Sequence, residues 1–153
     1  MKSFILLAWV AAAGAVGACR QKGADPQPAT PAQLLSAHPW RVTGATIAGP
    51  GQPTIDLTAL SPPCKLDDYV QFAAPRAYVV DEGTTKCDAR DPQTQLGTWA
   101  LAPDGTQLTL DFLGDTYTAT VNELTATTLV LTTVRLQSGG TRATIVQTFA
   151  ALP

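Results

Sequence analysis

Reactive side chains are scarce in this sequence. Among 153 residues there is one histidine, His38, and there are three cysteines, Cys19, Cys64 and Cys87; charged residues make up 14%. His38 precedes Pro39 and reads as a loop or capping residue, because a zinc site or a Ser-His-Asp set built on it lacks identifiable partners. No Gly-x-Ser-x-Gly elbow is present. No Cys-x-x-Cys pair suggests thioredoxin-like redox chemistry. No alternating Asp/Asn loop ends in the glutamate of a calcium site. Positive charge is thin as well. The ten Lys and Arg residues are scattered and the formal net charge is −2, which argues against a nucleic-acid partner, whose phosphates require clustered cations. These absences leave no catalytic, metal or cofactor set, and the expectation is a protein that is not an enzyme.

Long apolar runs are also missing. Phe4 to Val16 is apolar, but a membrane-spanning helix needs about 20 such residues. With Met1-Lys2-Ser3 before it, this run has the form of an export signal. It ends in Val16-Gly17-Ala18-Cys19, which resembles the bacterial lipobox: a branched apolar residue, two small residues, and the cysteine that receives lipid. The resemblance implies residues 1–18 as a lipoprotein signal peptide and a mature chain that begins at lipidated Cys19. Several acyl chains would make that anchor effectively permanent. The residue after the cysteine is Arg20, not the aspartate of the inner-membrane retention signal, so the expected location is the cell envelope, at the outer membrane where the cell has one. With Cys19 assigned to lipid, Cys64 and Cys87 remain as a pair. In an oxidising compartment their natural state is a structural disulfide.

The segment after Cys19 contains Pro26, Pro28 and Pro31 and shows no apolar periodicity. Residues 19–32 therefore read as the anchor and a semi-extended linker, and residues 33–153 as one domain. A short helix is expected at its start, with Thr30 as N-cap, Pro31 at the first helical position and Leu34 and Leu35 on the apolar side. Pro39 stops it. The remainder reads as strands. Threonine occurs 22 times and clusters with β-branched and aromatic residues. Leu108, Leu110 and Phe112 alternate with polar neighbours, and Tyr117, Ala119 and Val121 do the same. Asp104-Gly105, Gly114-Asp115 and Ser138-Gly139-Gly140 mark turns. Residues 49–63, rich in Gly and Pro, read as a long loop. About eight strands result, with connections too short for parallel crossovers. The expected fold is an all-β, antiparallel up-and-down barrel with a short N-terminal helix. A barrel of this size either is filled by its own side chains or holds one small ligand.

A family resemblance rests on an ordered set of short motifs: Leu34-Leu35, Trp40-Arg41-Val42-Thr43, Cys64-Lys65-Leu66-Asp67-Asp68-Tyr69, Asp81-Glu82-Gly83, Cys87-Asp88, Asp91-Pro92, Gly97-Thr98-Trp99 and Asp104-Gly105. Over roughly residues 33–150 the sequence resembles the lipocalin-like domain of exported bacterial lipoproteins, which implies a calycin-like barrel. Ala74-Pro75-Arg76 departs from the Asp-Gly-type hairpin turn common at that place.

In a ligand-binding barrel Trp40, Tyr78, Trp99 and Tyr117 would line the cavity; in a filled one they would form the core, the favoured reading for Trp40 and Trp99. Asp67, Asp68, Asp81, Glu82, Asp88 and Asp91 read as turn chemistry around the cysteine pair. The leading expectation is binding of a small hydrophobic or amphipathic molecule. The alternative is a filled barrel that binds a protein partner through apolar Ile55, Leu57 and Leu60 of the long loop.

Overall fold

The computed structural model describes residues 27–137 and 140–153. Cys19 and the expected signal segment lie outside the described residues. The first element is helix α1, Pro31–Ser36. Six residues are too few to hold a helix alone, so its ends and its packing decide it. The Thr30 hydroxyl accepts the Gln33 N–H and the Gln33 side chain accepts the Thr30 N–H, a reciprocal cap, with Pro31 in the first turn. Leu35 is completely buried.

Nine strands follow: β1 (Trp40–Ala48), β2 (Ile55–Asp56), β3 (Tyr69–Ala73), β4 (Ala77–Asp81), β5 (Thr94–Leu101), β6 (Gln107–Phe112), β7 (Asp115–Leu124), β8 (Thr128–Leu136) and β9 (Arg142–Ala151). From β3 to β9 each strand pairs antiparallel with the next. β9 then returns to β1, from Trp40↔Ala151 to Ala48↔Thr144. β1 also meets β3, at Trp40↔Val70 and Arg41↔Tyr69 alone. Eight strands thus close an up-and-down barrel, and β2 is an addition. Residues 49–63, expected to be a long loop, hold β2 and the start of a 3₁₀ turn at Pro63–Lys65. Two residues form a strand there because β1, having left β3, offers a free edge at Thr46 and Ile47.

Alternation sets the two faces. Leu108, Leu110 and Phe112 of β6 point inward beside Tyr117 and Ala119 of β7, while Thr98, Asp111 and Thr116 form a hydrogen-bonded row outside. One end of the barrel is closed by α1 and the short turns at residues 74–76, 102–106 and 125–127. The first of these passes through a cis Ala74–Pro75 peptide, where the resemblance leads one to expect an Asp-Gly hairpin. The opposite end carries the long connections, residues 49–68 and 82–93.

Gly83 locks those two connections together. Its φ is +64°, and a Cβ added there would stand 2.5 Å from the Asp67 carbonyl oxygen. Asp67 in turn accepts the Thr84 hydroxyl at 2.6 Å and the Thr84 and Thr85 N–H groups at 2.8 and 3.0 Å. Gly83→Ala is therefore expected to lose about 1–3 kcal/mol through left-handed strain alone, with the contact adding to it. A drop in the urea midpoint at unchanged slope would show this; an unchanged midpoint would refute it.

Candidate ligand site at the open end

Position along the strands divides the aromatic residues into two groups. At the closed end Leu35, Trp40, Phe72, Leu108, Leu129 and Phe149 pack into one core with Trp99. The Trp40 indole N–H donates to the Leu35 carbonyl at 2.8 Å, and that of Trp99 to the Ala73 carbonyl at 3.0 Å. Both polar ends are satisfied while the rings stay buried. Phe72 meets Trp99 edge-on at 5.9 Å and Tyr78 at 5.4 Å, and Tyr78 meets Phe112 edge-on at 5.5 Å. This chain of rings runs from the packed base to the hollow above it.

That hollow is a cavity of about 220 Å³ in the open half of the barrel. Leu110, Phe112, Ala119 and Leu131 give it apolar walls, and Tyr78 and Tyr117 contribute rings. Its polar groups are Thr133, Gln147 and Arg135. Burial pushes the Tyr78 phenol up to about 12, so it remains neutral at any physiological pH. Among the described residues the lining contains no carboxylate or imidazole. Its chemistry is shape, apolar contact and a few hydrogen-bonding groups, the make-up of a small-molecule pocket.

A second hollow, of about 270 Å³, lies beneath the strap formed by residues 57–66 and shares Gln147 with the first. The strap is tied to β1: the Leu57 N–H donates to the Ala45 carbonyl at 2.8 Å, and the Ala45 N–H to the Thr58 hydroxyl at 2.7 Å. A Cys64–Cys87 disulfide joins the strap to the 82–93 connection. Lys65, beside it, contacts Glu82 at 2.5 Å and Asp68 at 3.2 Å. Glu82 is buried, and its Oε1 takes the lysine while Oε2 has no protein partner. The Glu82 hydrogen bond holds the Lys65 ammonium above its usual range, and burial raises the Asp68 carboxyl. The lysine's contribution to stability is accordingly present below the ordinary lysine range and lost as pH rises through its elevated folded value. Asp67, Asp81 and Asp88 serve the turns. Asp81 accepts the Gly83 N–H and the Gln93 amide, and Asp88 the Arg90 N–H and guanidinium. Among the described residues, no three His, Cys, Asp or Glu side chains converge as metal ligands.

Of the four aromatics proposed from sequence as cavity residues, the structure brings Tyr78 and Tyr117 to the cavity. It places Trp40 and Trp99 in the packed base. Lipidation of Cys19 falls outside the described residues. Leu57, expected on an outer contact face with Ile55 and Leu60, turns into the strap hollow, whereas Ile55 and Leu60 are exposed. Arg135 and Gln147 were missed as cavity residues. Their signal is strand parity: Arg135 alternates in phase with Leu129 and Leu131, and Gln147 with Phe149.

A closed eight-stranded up-and-down barrel, packed at one end and hollow at the other, defines a lipocalin-type architecture. The sequence matches the family described as lipocalin-like domain over residues 37–131, more than half the chain, and the protein belongs to that family. It matches no curated protein. Solved structures with a similar fold include bovine odorant-binding protein in complex with a selenium-containing odorant, at 14% identity over 85% of this chain and 78% of that one, TM-score 0.47. The same bovine protein with undecanal gives 12%, 85%, 78% and 0.49. Its deswapped triple mutant gives 12%, 74%, 72% and 0.44.

Proposed function

We propose that this protein is a membrane-anchored carrier that holds a small hydrophobic or amphipathic molecule in the open-end cavity, in the cell envelope. The cavity carries the reading. It is an apolar hollow of about 220 Å³ inside a barrel whose other half is tightly packed. An apolar cavity of about 150 Å³ accommodates benzene, which scales to roughly nine non-hydrogen atoms here. The ligand is therefore small, a short chain or one to two rings. The absence of carboxylate and imidazole from the lining, among the described residues, favours binding over chemistry on the ligand. The Val16-Gly17-Ala18-Cys19 sequence supports the anchor and the location.

Two experiments test this. Titrating the purified full-length chain with 1-naphthylamine, a neutral fluorophore, is expected to give saturable enhancement. Thr133→Phe, which projects a ring into the cavity, is expected to weaken binding about tenfold or more with little change in melting temperature. Absence of saturable enhancement, or equal binding by the variant, would overturn the cavity reading. Cys19→Ser is expected to move the protein from the membrane to the soluble fraction of fractionated cells; retention in the membrane would overturn the anchor.

A further inference from the structure

The barrel wall is open along one seam. β6 and β7 pair as far as Phe112↔Asp115, and β8 and β9 pair as far as Leu136↔Arg142. Between them, β7 and β8 stop pairing at Ala119↔Thr133. Asp115–Tyr117 and Arg135–Leu136 thus remain in strand conformation with no paired residue across the seam. Strand edges inside a closed barrel normally satisfy one another. Here they flank a crevice of about 340 Å³ that shares Tyr117, Thr133 and Arg135 with the cavity.

A side-chain contact crosses the seam: the Arg135 guanidinium lies 4.2 Å from the centre of the Tyr117 ring. At an exposed site such a cation–π contact is weak. Arg135 is the one charged side chain on the cavity lining, and it forms no ion pair among the described residues. The nearby carboxylate, Asp115, accepts the Tyr117 hydroxyl at 3.0 Å, which orients the ring. Exposed Val134 and Leu136 form the apolar outer lip.

We infer that the β7–β8 seam is a side gate latched by Arg135 on Tyr117, and that the cavity takes a small amphiphile with an anionic head, whose tail lies in the hollow and whose carboxylate sits on Arg135. This deepens the proposed function and rests on it. Opening the gate breaks that weak cation–π contact and no paired rung of the β7–β8 ladder. The same cation then satisfies the head group, bidentate geometry being natural between guanidinium and carboxylate.

The test compares octanoate with octan-1-ol as competitors of 1-naphthylamine, in the full-length protein and in R135Q and R135K. Octanoate is expected to bind more tightly than the alcohol to the unsubstituted protein. R135Q should weaken octanoate about tenfold or more, the scale of one lost charge-assisted hydrogen bond, and octanol by a clearly smaller factor. R135K should retain most of the preference. In stopped-flow measurements R135Q should speed both association and dissociation of the neutral fluorophore, because the latch is gone. Equal effects on octanoate and octanol overturn the head-group site. Unchanged fluorophore rates overturn the gate. Failure of the unsubstituted protein to bind the fluorophore overturns the cavity reading and this inference together, whereas fluorophore binding without an octanoate preference removes the inference alone.

Discussion

Trp40→Ala is expected to destabilise the barrel by about 3–5 kcal/mol, as large-to-small changes at fully buried aromatics do. For a domain of ordinary stability, about 5–15 kcal/mol, that is about a fifth or more of the total. The reason is where Trp40 sits. It is completely buried, it lies opposite Val70 on β3 and Ala151 on β9, and its N–H binds the Leu35 carbonyl of α1. One side chain thus joins the first strand to the last, to its narrow pairing with β3, and to the helix that closes the base. Trp40→Phe refills most of the volume but removes the N–H, leaving the buried Leu35 carbonyl unpaired, and should lose about 1–3 kcal/mol. Guanidinium unfolding followed by far-ultraviolet circular dichroism separates the two variants. An alanine variant within about 1 kcal/mol of the parent, below the range for such cavities, would refute the assigned role.

The second large effect is expected at the other end. Cys64→Ala together with Cys87→Ala should remove about 3 kcal/mol on the chain-entropy account, given a sequence separation of 23. The loss should be uneven. The disulfide ties the strap to the 82–93 connection, and the Lys65–Glu82 contact spans the same two segments, so the rim is held twice while the base is held by packing. The double variant should therefore show faster amide exchange and proteolysis in residues 57–66 and 82–93 before any change in β6 to β9. Reducing the unsubstituted protein should reproduce this. A guanidinium midpoint indifferent to reduction would sink the prediction. Because Trp40 and the disulfide lie at opposite ends without shared partners, their effects should add within about 0.5 kcal/mol.

Much of the fold was legible because period-2 alternation and turn residues are local signals. Leu108, Leu110 and Phe112 announced β6 and its inward face, Asp104-Gly105 and Gly114-Asp115 the turns around it, and Thr30-Pro31 the start of α1. Gly83 and Gly97, quoted for the family resemblance, prove to be close approaches: a Cβ on Gly97 would lie 2.3 Å from the Asp111 carbonyl oxygen. β2 was not legible, since two residues carry no periodicity and their pairing depends on the edge β1 leaves free. Nor was the division of Trp40 and Trp99 from Tyr78 and Tyr117. Alternation tells which face a residue takes, but its height in a barrel depends on the stagger of every strand before it. The unpaired seam between β7 and β8 is a property of two neighbouring registers and leaves no mark on either strand alone.

Helix α1 gives the molecule a direction. Whatever precedes Pro31 is joined to the plugged base, and strands of nine or ten residues, tilted as in any closed barrel, place the mouth about 20–25 Å away at the far pole. If Cys19 carries the proposed lipid, the tether would attach at the base, like a cup standing on the membrane. Cargo would then arrive from the side facing away from that bilayer. For a molecule drawn from that same bilayer the cup must tip, within the roughly 40 Å that the twelve residues from Cys19 to Pro31 can span when fully extended. The length of that tether, more than the cavity, would then decide which reservoir the carrier serves.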